Sequence, residues 1–397
     1  MGLSTVSTVS EALKIYFMPT VVKQLNEQSG PVFAAMKKKQ QSAPGNEFKF
    51  VLQYGRHGGI GARGETDDLP NASPRKNKQG STSVKNLFAR IQLTDKLLKT
   101  AKNDKVAFSD ELTQQMKDIT VDSNDMIRRN LCGSSLGKMG AVKTAVTVGK
   151  AVVVKDGTIE AFYEGQMVDI LTDSSGTVTK SVDGKEIISV DRDNNTIYFK
   201  DNVTVTADQI ITLAGNYKLE LTGLKDIMTK DTSIYGIDRS THKWFNPIVM
   251  DKASSGEMTV FDSIWLAQAL RTADNRASSN PSFFVCSDGV EFAYVEEQQA
   301  YKRNTEIMTV EGGYKLPTYN GVPISAEKYY EHNVMDLLNM DDFVLAQLAD
   351  WDWLDADGSV LSRVANKAAW EATMALYCDI LCRRPVGQVR IQGIKEV

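Results

Sequence analysis

The segment Gly59-Ile60-Gly61-Ala62-Arg63-Gly64 has the G-x-G-x-x-G spacing that cradles a dinucleotide pyrophosphate, and it follows the strand-like run EFKFVLQY. That chemistry needs a helix to open at the third glycine, so that free N–H groups and the positive end of the helix dipole meet the phosphate. Here Gly64 leads into ETDDLPNASPRKNKQGSTS, where Pro70 and Pro74 prevent a continuous helix and Glu65, Asp67 and Asp68 repel phosphate. The glycines read instead as the backbone of a loose hairpin tip.

Other residue types with chemical potential fall the same way. Cys286 ends the strand-like SFFVC and precedes the helical SDGVEFAYVEEQQAY, the place of a nucleophile elbow, so a cysteine hydrolase is a reading to weigh. It needs a basic partner, and only His57, His242 and His332 are available, none of them brought near by the sequence. A buried cysteine ending a core strand, with Ser287 or Asp288 capping the helix, is the favoured reading. Cys378 and Cys382, four apart on an expected helix, make at most half a zinc site and are read as packing on one stripe with Met374 and Leu381. The DRDNNT run lacks the glycine and glutamate of a calcium loop, having Thr196 and Asn202 there, and DWDWLDADG fails likewise at Trp353 and Val364. Gly137-Lys138 is followed by Met139 and is no phosphate loop. No catalytic, cofactor-binding or metal site is expected, and the chain is not read as an enzyme.

The elements around these residues are more informative. Residues 8–40 read as an amphipathic helical arm, interrupted at Pro19 and Gly30-Pro31, with Lys37-Lys38-Lys39 as its solvated end. The run FKFVLQY alternates as a half-exposed strand does, and a second run from about Ser83 to Leu93, carrying Val84, Leu87, Ile91 and Leu93, is expected to pair with it. Together they make a long two-stranded hairpin with a loose tip of some twenty-five residues, marginal unless it lies on something else. Ser109 serves as N-cap to a helix with Leu112, Met116, Ile119, Met126, Ile127 and Leu131 as its apolar members, ending at Gly133. Residues 140–218 hold short strand runs separated by turns and read as an inserted β-rich module. Residues 219–340 mix helices and strands. SVLSRVANKAAWEATMALYCDILC is expected to be helical throughout, halted by Pro385 and followed by the strand QVRIQGI. The fold class is α+β.

With 397 residues, 42% apolar content and a formal net charge of −4, the chain can bury a sizeable core and has no global field to hold it on nucleic acid or an anionic membrane. Four cysteines and no signal-peptide pattern point to a reducing cytoplasm. No apolar run is long enough to span a bilayer, and Val6 spoils the Met1-Gly2 myristoylation pattern. What remains unexplained is the commitment of chain to an arm and a hairpin that gain nothing in an isolated monomer. They make sense lying on a neighbouring copy.

At this point the chain resembles a family. The order of arm, extended hairpin, long helix ending RRNLCGSS, β module, mixed domain, NGVPIS, WDWLDADGSVLSR and AWEATMALYCDILCRRPVGQVRIQGI is similar to that of the major capsid proteins of tailed bacteriophages, with the Hong Kong 97-like capsid fold. The likeness runs through nearly the whole chain in order. It implies an N-terminal arm at 1–45, an extended loop at 46–98 that laps over an adjacent subunit, and a peripheral domain at 99–139 with its spine helix. An inserted β-rich domain at 140–218, an axial domain at 219–340 and a C-terminal segment at 341–397 shared between peripheral and axial domains complete the chain.

The function implied is self-assembly into the icosahedral shell around a double-stranded DNA genome, in the virion, after assembly in the host bacterial cytoplasm. An encapsulin-like compartment is the alternative of the same fold. Expected partners are further copies in pentamers and hexamers, a separate scaffolding protein, a portal protein, a possible decoration protein, and packaged DNA through weak non-specific contacts. Arg56, Arg63, Glu65, Asp67, Asp68, Arg75, Lys76 and Lys78 of the hairpin tip are expected to make salt-sensitive contacts with a neighbour, and deleting residues 57–80 should leave a folded subunit that forms no shell.

Overall fold

The computed structural model describes residues 30–55, 57–68, 70–71, 73–96, 105–155, 158–174, 176–254, 256–300, 307–309, 315–355, 360 and 362–397, and for 105–114 the backbone alone. The expected arm helix lies outside these residues up to 29. From Gly30 onward it is corrected: a single helical turn, α1 (Pro31–Ala34), is followed by strand β1 (Lys37–Gln40). The lysine run is thus the edge of a sheet, where lysine side chains discourage pairing with foreign strands.

The hairpin is corrected in its second half. β2 (Glu47–Tyr54) pairs antiparallel with β3 (Lys76–Ser83), and β4 (Lys85–Thr94) goes elsewhere. The run KNKQGSTS of β3 carries no apolar side chain, so no alternation marks it as a strand. Its inward positions need none. Gly80 lies under the Phe50 ring, where even a Cβ would stand 2.9 Å from the ring carbon, and Val84 then turns the chain into β4.

Helix α2 (Lys105–Cys132) begins before Ser109, which stands inside it. Met116, Thr120, Ser123, Ile127 and Leu131 recur every three or four residues as its buried stripe. The Gly133 N–H closes the last turn onto the Arg129 carbonyl at 2.9 Å.

Strands β5 (Gly140–Ala141), β6 (Val146–Val153), β7 (Met167–Ser174), β8 (Thr177–Asp191), β9 (Thr196–Val205) and β10 (Ile210–Leu213) follow one another in the order β5-β10-β7-β8-β9-β6. The ends of this row meet, because Val142 and Val154 form a bridge and the Lys143 and Lys155 N–H groups bond the Val153 and Ala141 carbonyls at 2.8 and 2.9 Å. The row therefore closes into a small barrel without free edges. Its interior is filled by Val152, Phe162, Ile170, Ile197, Phe199 and Ile211, a core separate from the rest of the molecule.

The chain leaves the barrel beside the point where it entered. Gly223 is pressed against Gly133, so closely that a Cβ on Gly223 would fall 2.2 Å from the Gly133 carbonyl oxygen. Helix α3 (Leu224–Met228) follows, then the two-residue strands β11 (Ser233–Ile234) and β12 (Ile237–Asp238).

Next come β13 (Ile248–Asp251), β14 (Thr259–Val260), α4 (Ile264–Ala277), β15 (Phe283–Cys286) and α5 (Asp288–Ala300). After them run β16 (Ile307–Thr309), β17 (Lys315–Tyr319), β18 (Val322–Ala326) and β19 (Val334–Leu338), and the last part of the chain holds β20 (Phe343–Gln347), β21 (Asp352–Trp353), β22 (Ser362–Arg363), β23 (Ala369–Cys382), β24 (Val389–Gln392) and β25 (Ile394–Lys395). Seven strands form one sheet in the order β13-β24-β19-β15-β18-β17-β16. Strand alternation lets β15 serve two cores: Phe284 and Cys286 pack with α4 and α5, while Phe283 and Val285 face the larger core beneath the hairpin.

The expectation of a long helix over 359–382 is wrong. β23 is a fourteen-residue strand at the heart of the second sheet, paired along one edge with β4 and along the other with β20, β21 and β22. Both of its faces are covered, so apolar residues occupy consecutive positions and the period of two that identifies a strand disappears. Cys378 and Cys382 do share a face, but as strand neighbours of Ile380, with Leu381 on the opposite side.

Candidate assembly surface

The hairpin lies on its own chain by one face only. Phe48 and Leu52 are in the main core, Phe50 meets the Tyr235 ring edge-on at 5.4 Å, and Tyr54 stacks flat on Trp244 at 4.4 Å. The Ser81 N–H bonds the Tyr235 carbonyl at 3.0 Å. Residues 235–245 thus form an aromatic bed that fixes the direction in which the hairpin leaves the body. The expectation that the whole hairpin lacks support in its own chain is corrected accordingly.

The opposite face and the tip have no such bed. Lys49, Val51 and Gln53 point outward, with Val51 68% exposed, and Ile60 at the tip is 85% exposed. Arg63, Glu65, Asp67, Asp68, Arg75 and Lys76 are exposed and Lys78 is half-buried, while Arg56 lies outside the described residues. None of these seven pairs with an opposite charge among the described residues. The side-chain bond within the set is local, from the Gly64 N–H to Asp67 Oδ2 at 2.8 Å, with the Asp67 N–H returning to the Gly64 carbonyl at 3.2 Å, and the tip closes on itself through the Gly58 N–H and the Ser73 carbonyl at 3.0 Å. The described members of the predicted contact set therefore lie on β3 and in the loop that precedes it, with no ion pair joining them to one another.

Two buried polar groups that sequence reasoning missed hold this arrangement to the body. Asp379 on β23 accepts bonds from the Thr82 hydroxyl of β3 and from the Thr222 N–H and hydroxyl, at 2.8 and 2.9 Å. Burial raises its carboxyl above the usual range against the pull of those donors. Arg129, near the end of α2, clasps Glu220 with two bonds of 3.0 and 2.5 Å, tying the spine of the body to the chain as it leaves the barrel. A charged pair separated by 91 positions leaves no local pattern to find.

The candidate chemistry of the cysteines receives no support. Cys286 is fully buried and burial pushes its thiol well above the ordinary value, the reverse of an activated nucleophile. Cys378 and Cys382 are shifted the same way. Ser287 bonds Glu396 through its hydroxyl. Among the described residues no group of His, Cys, Asp and Glu could hold a metal, and no helix is long and apolar enough to cross a membrane.

No protein-family model matches the sequence, and no curated protein matches it. Solved structures do. The capsid asymmetric unit of cyanophage A-1(L) is 13% identical, with 92% of each chain covered and a TM-score of 0.57. The capsid of an empty GTA particle is 12% identical over 92% of this chain and 90% of that one, at a TM-score of 0.49. The SrpI encapsulin of Synechococcus elongatus is 10% identical over 92% and 88%, at 0.42. The cyanophage match covers 92% of this chain, so this chain has the Hong Kong 97-like capsid fold, an α+β architecture.

Proposed function

We propose that this chain is the major capsid protein of a tailed bacteriophage and that copies of it assemble into the icosahedral shell around a double-stranded DNA genome. The observation that carries the reading is the match to a cyanophage capsid subunit over 92% of the chain, combined with a hairpin that is held on its inner face by aromatic contacts yet bare at its tip. An aimed, unpartnered projection is what an assembling subunit needs. It costs an isolated monomer solubility and returns nothing.

In this reading the hairpin at 46–98 overlaps a neighbour. Residues 99–139 are the core of the peripheral domain, 219–340 form the axial domain, and 341–397 are shared between them. The barrel within 140–218 is an inserted domain, and a decoration protein is a possible further partner of the shell. Arms, hairpins and sheet edges then give many modest interfaces that become strong together once the shell closes. The near-neutral balance of charge suits a shell that holds DNA loosely, since a strongly basic wall would clamp it. A separate scaffolding protein and a portal are the other partners, and the protein resides in the virion after assembly in the host cytoplasm.

The test is a tip replacement. Residues 76–80 belong to β3, so removing 57–80 would damage the body. Replacing 55–75 by Asn-Gly joins Tyr54 to Lys76 through a two-residue turn and keeps the pairing intact. This variant should stay folded and form no shells under conditions where the full chain does. Normal shells from it would contradict the assignment.

A further inference from the structure

Asp118, Asp122 and Asp125 occupy positions i, i+4 and i+7 of α2 and share one helix face. Asp122 and Asp125 border a 460 Å³ cleft between α2, the barrel and the turn at Lys328-Tyr329. Most charges there are matched: Asp125 accepts from the Tyr329 hydroxyl at 2.9 Å and pairs with Lys328 at 3.5 Å, Arg192 pairs with Glu160 at 3.6 Å, and Arg129 holds Glu220. Asp122 makes no hydrogen bond or ion pair with a described residue. Burial and the like charges of Asp118 and Asp125 raise its carboxyl above the ordinary value.

An independent observation points the same way. Gln166, only 4% exposed, lines this cleft beside Tyr163, with which its side chain interacts, and among the described residues its Oε1 accepts no hydrogen bond. A buried amide oxygen without a donor is costly, and a carboxylate among like charges favours a cation. The half-open rings of Phe88 and Tyr163 on the cleft wall offer faces on which a guanidinium or ammonium can rest. All three features suit a group that is positively charged and bears several N–H donors. The same chain carries such groups without partners, because Arg63, Arg75 and Lys76 at the hairpin tip are exposed and pair with no described residue.

We propose that the cleft between α2 and the barrel receives a cationic side chain from the hairpin tip of a second copy of this chain, with its N–H groups reaching Asp122 and Gln166 Oε1. This rests on the assembly reading above and gives the barrel a role in it, as one wall of the receptor.

The experiment compares, in the full chain, Asp122→Arg, Asp122→Asn, the tip reversal Arg63→Glu/Arg75→Glu/Lys76→Glu, and the combination of Asp122→Arg with that reversal. The fraction sedimenting as particles is the readout, and a thermal melt checks folding. Asp122→Arg and the tip reversal should each lower particle yield at least about tenfold, and the combination should recover most of it. Asp122→Asn, which adds no bulk, should lower the yield less and should carry the test if Asp122→Arg fails to fold. Particles from Asp122→Arg at the wild-type yield, or a combination no better than its parts, would overturn this inference alone. A folded wild-type chain that forms no particles even when its scaffolding protein is present would overturn the assembly reading and this inference with it.

Discussion

Replacing Glu220 by alanine tests the clasp that joins the long helix to the chain leaving the barrel. Both partners are buried, Arg129 at 9% and Glu220 at 3% exposure, and the guanidinium gives the carboxylate two bonds. Without the carboxylate, Arg129 keeps a single 3.3 Å bond to Asn130 Oδ1 and stays out of water as an uncompensated charge. Breaking a buried pair in this way costs about 3–5 kcal/mol, roughly two to nearly four decades in the folding constant. All five tryptophans lie outside the barrel, so tryptophan fluorescence during urea unfolding reports the body in which the clasp is anchored. The tryptophan-reported transition of Glu220→Ala should move to lower urea, with the unfolding free energy falling by that amount. Arg129→Met/Glu220→Leu, which removes both charges and keeps the volume, should return to within about 1–2 kcal/mol of the wild type. A loss below about 1 kcal/mol in the single variant, or a double variant as unstable as the single, would refute the reasoning.

Two further outcomes follow from the geometry. Burial opposes ionisation of Glu396, but bonds from His332 at 2.7 Å, from the Ser287 hydroxyl and from the Asn333 N–H at 2.8 Å outweigh it and hold the carboxyl down at about 2. The stabilisation is therefore complete above the ordinary glutamate value near about 4.3 and is lost as pH falls from there toward about 2. Chemical unfolding across that window should show Glu396→Gln less stable than the wild type by about 1.5–3 kcal/mol at pH 6, with the gap closing at low pH; a gap that stays constant would argue against the assignment. Gly80→Val should cost about 1–3 kcal/mol, because its Cβ would stand 2.9 Å from the Phe50 ring and lift the hairpin from its aromatic bed. Near-ultraviolet circular dichroism should show the loss of aromatic order, and an unchanged spectrum would count against that packing.

How much of this was legible in the sequence depended on whether burial left a period behind. The alternation of β2, the buried stripe of α2 and the turn-punctuated strands of the barrel each face one covered side and one open side, and each reads directly. β23 is covered on both sides, so its run of Ala, Met, Leu and Cys reads as a helix until its neighbours β4 and β20 are known. β3 failed for the opposite reason, since glycine and hydroxyl side chains suffice where Phe50 fills the space. The exposed tip residues were legible as a mixed-charge loop. Asp379 and Glu220 were not, because Thr82, Thr222 and Arg129 are distant in sequence and meet them only through the sheet and barrel topology.

The central claim, that the hairpin tip finds its partner on another copy within a closed shell, is tested most directly by electron cryomicroscopy of particles formed by the full chain. The account predicts hollow icosahedral shells in which density for residues 57–75 rests on an adjacent subunit while Tyr54 remains stacked on its own Trp244. Persistently monomeric protein with that segment folded onto its own body would contradict it.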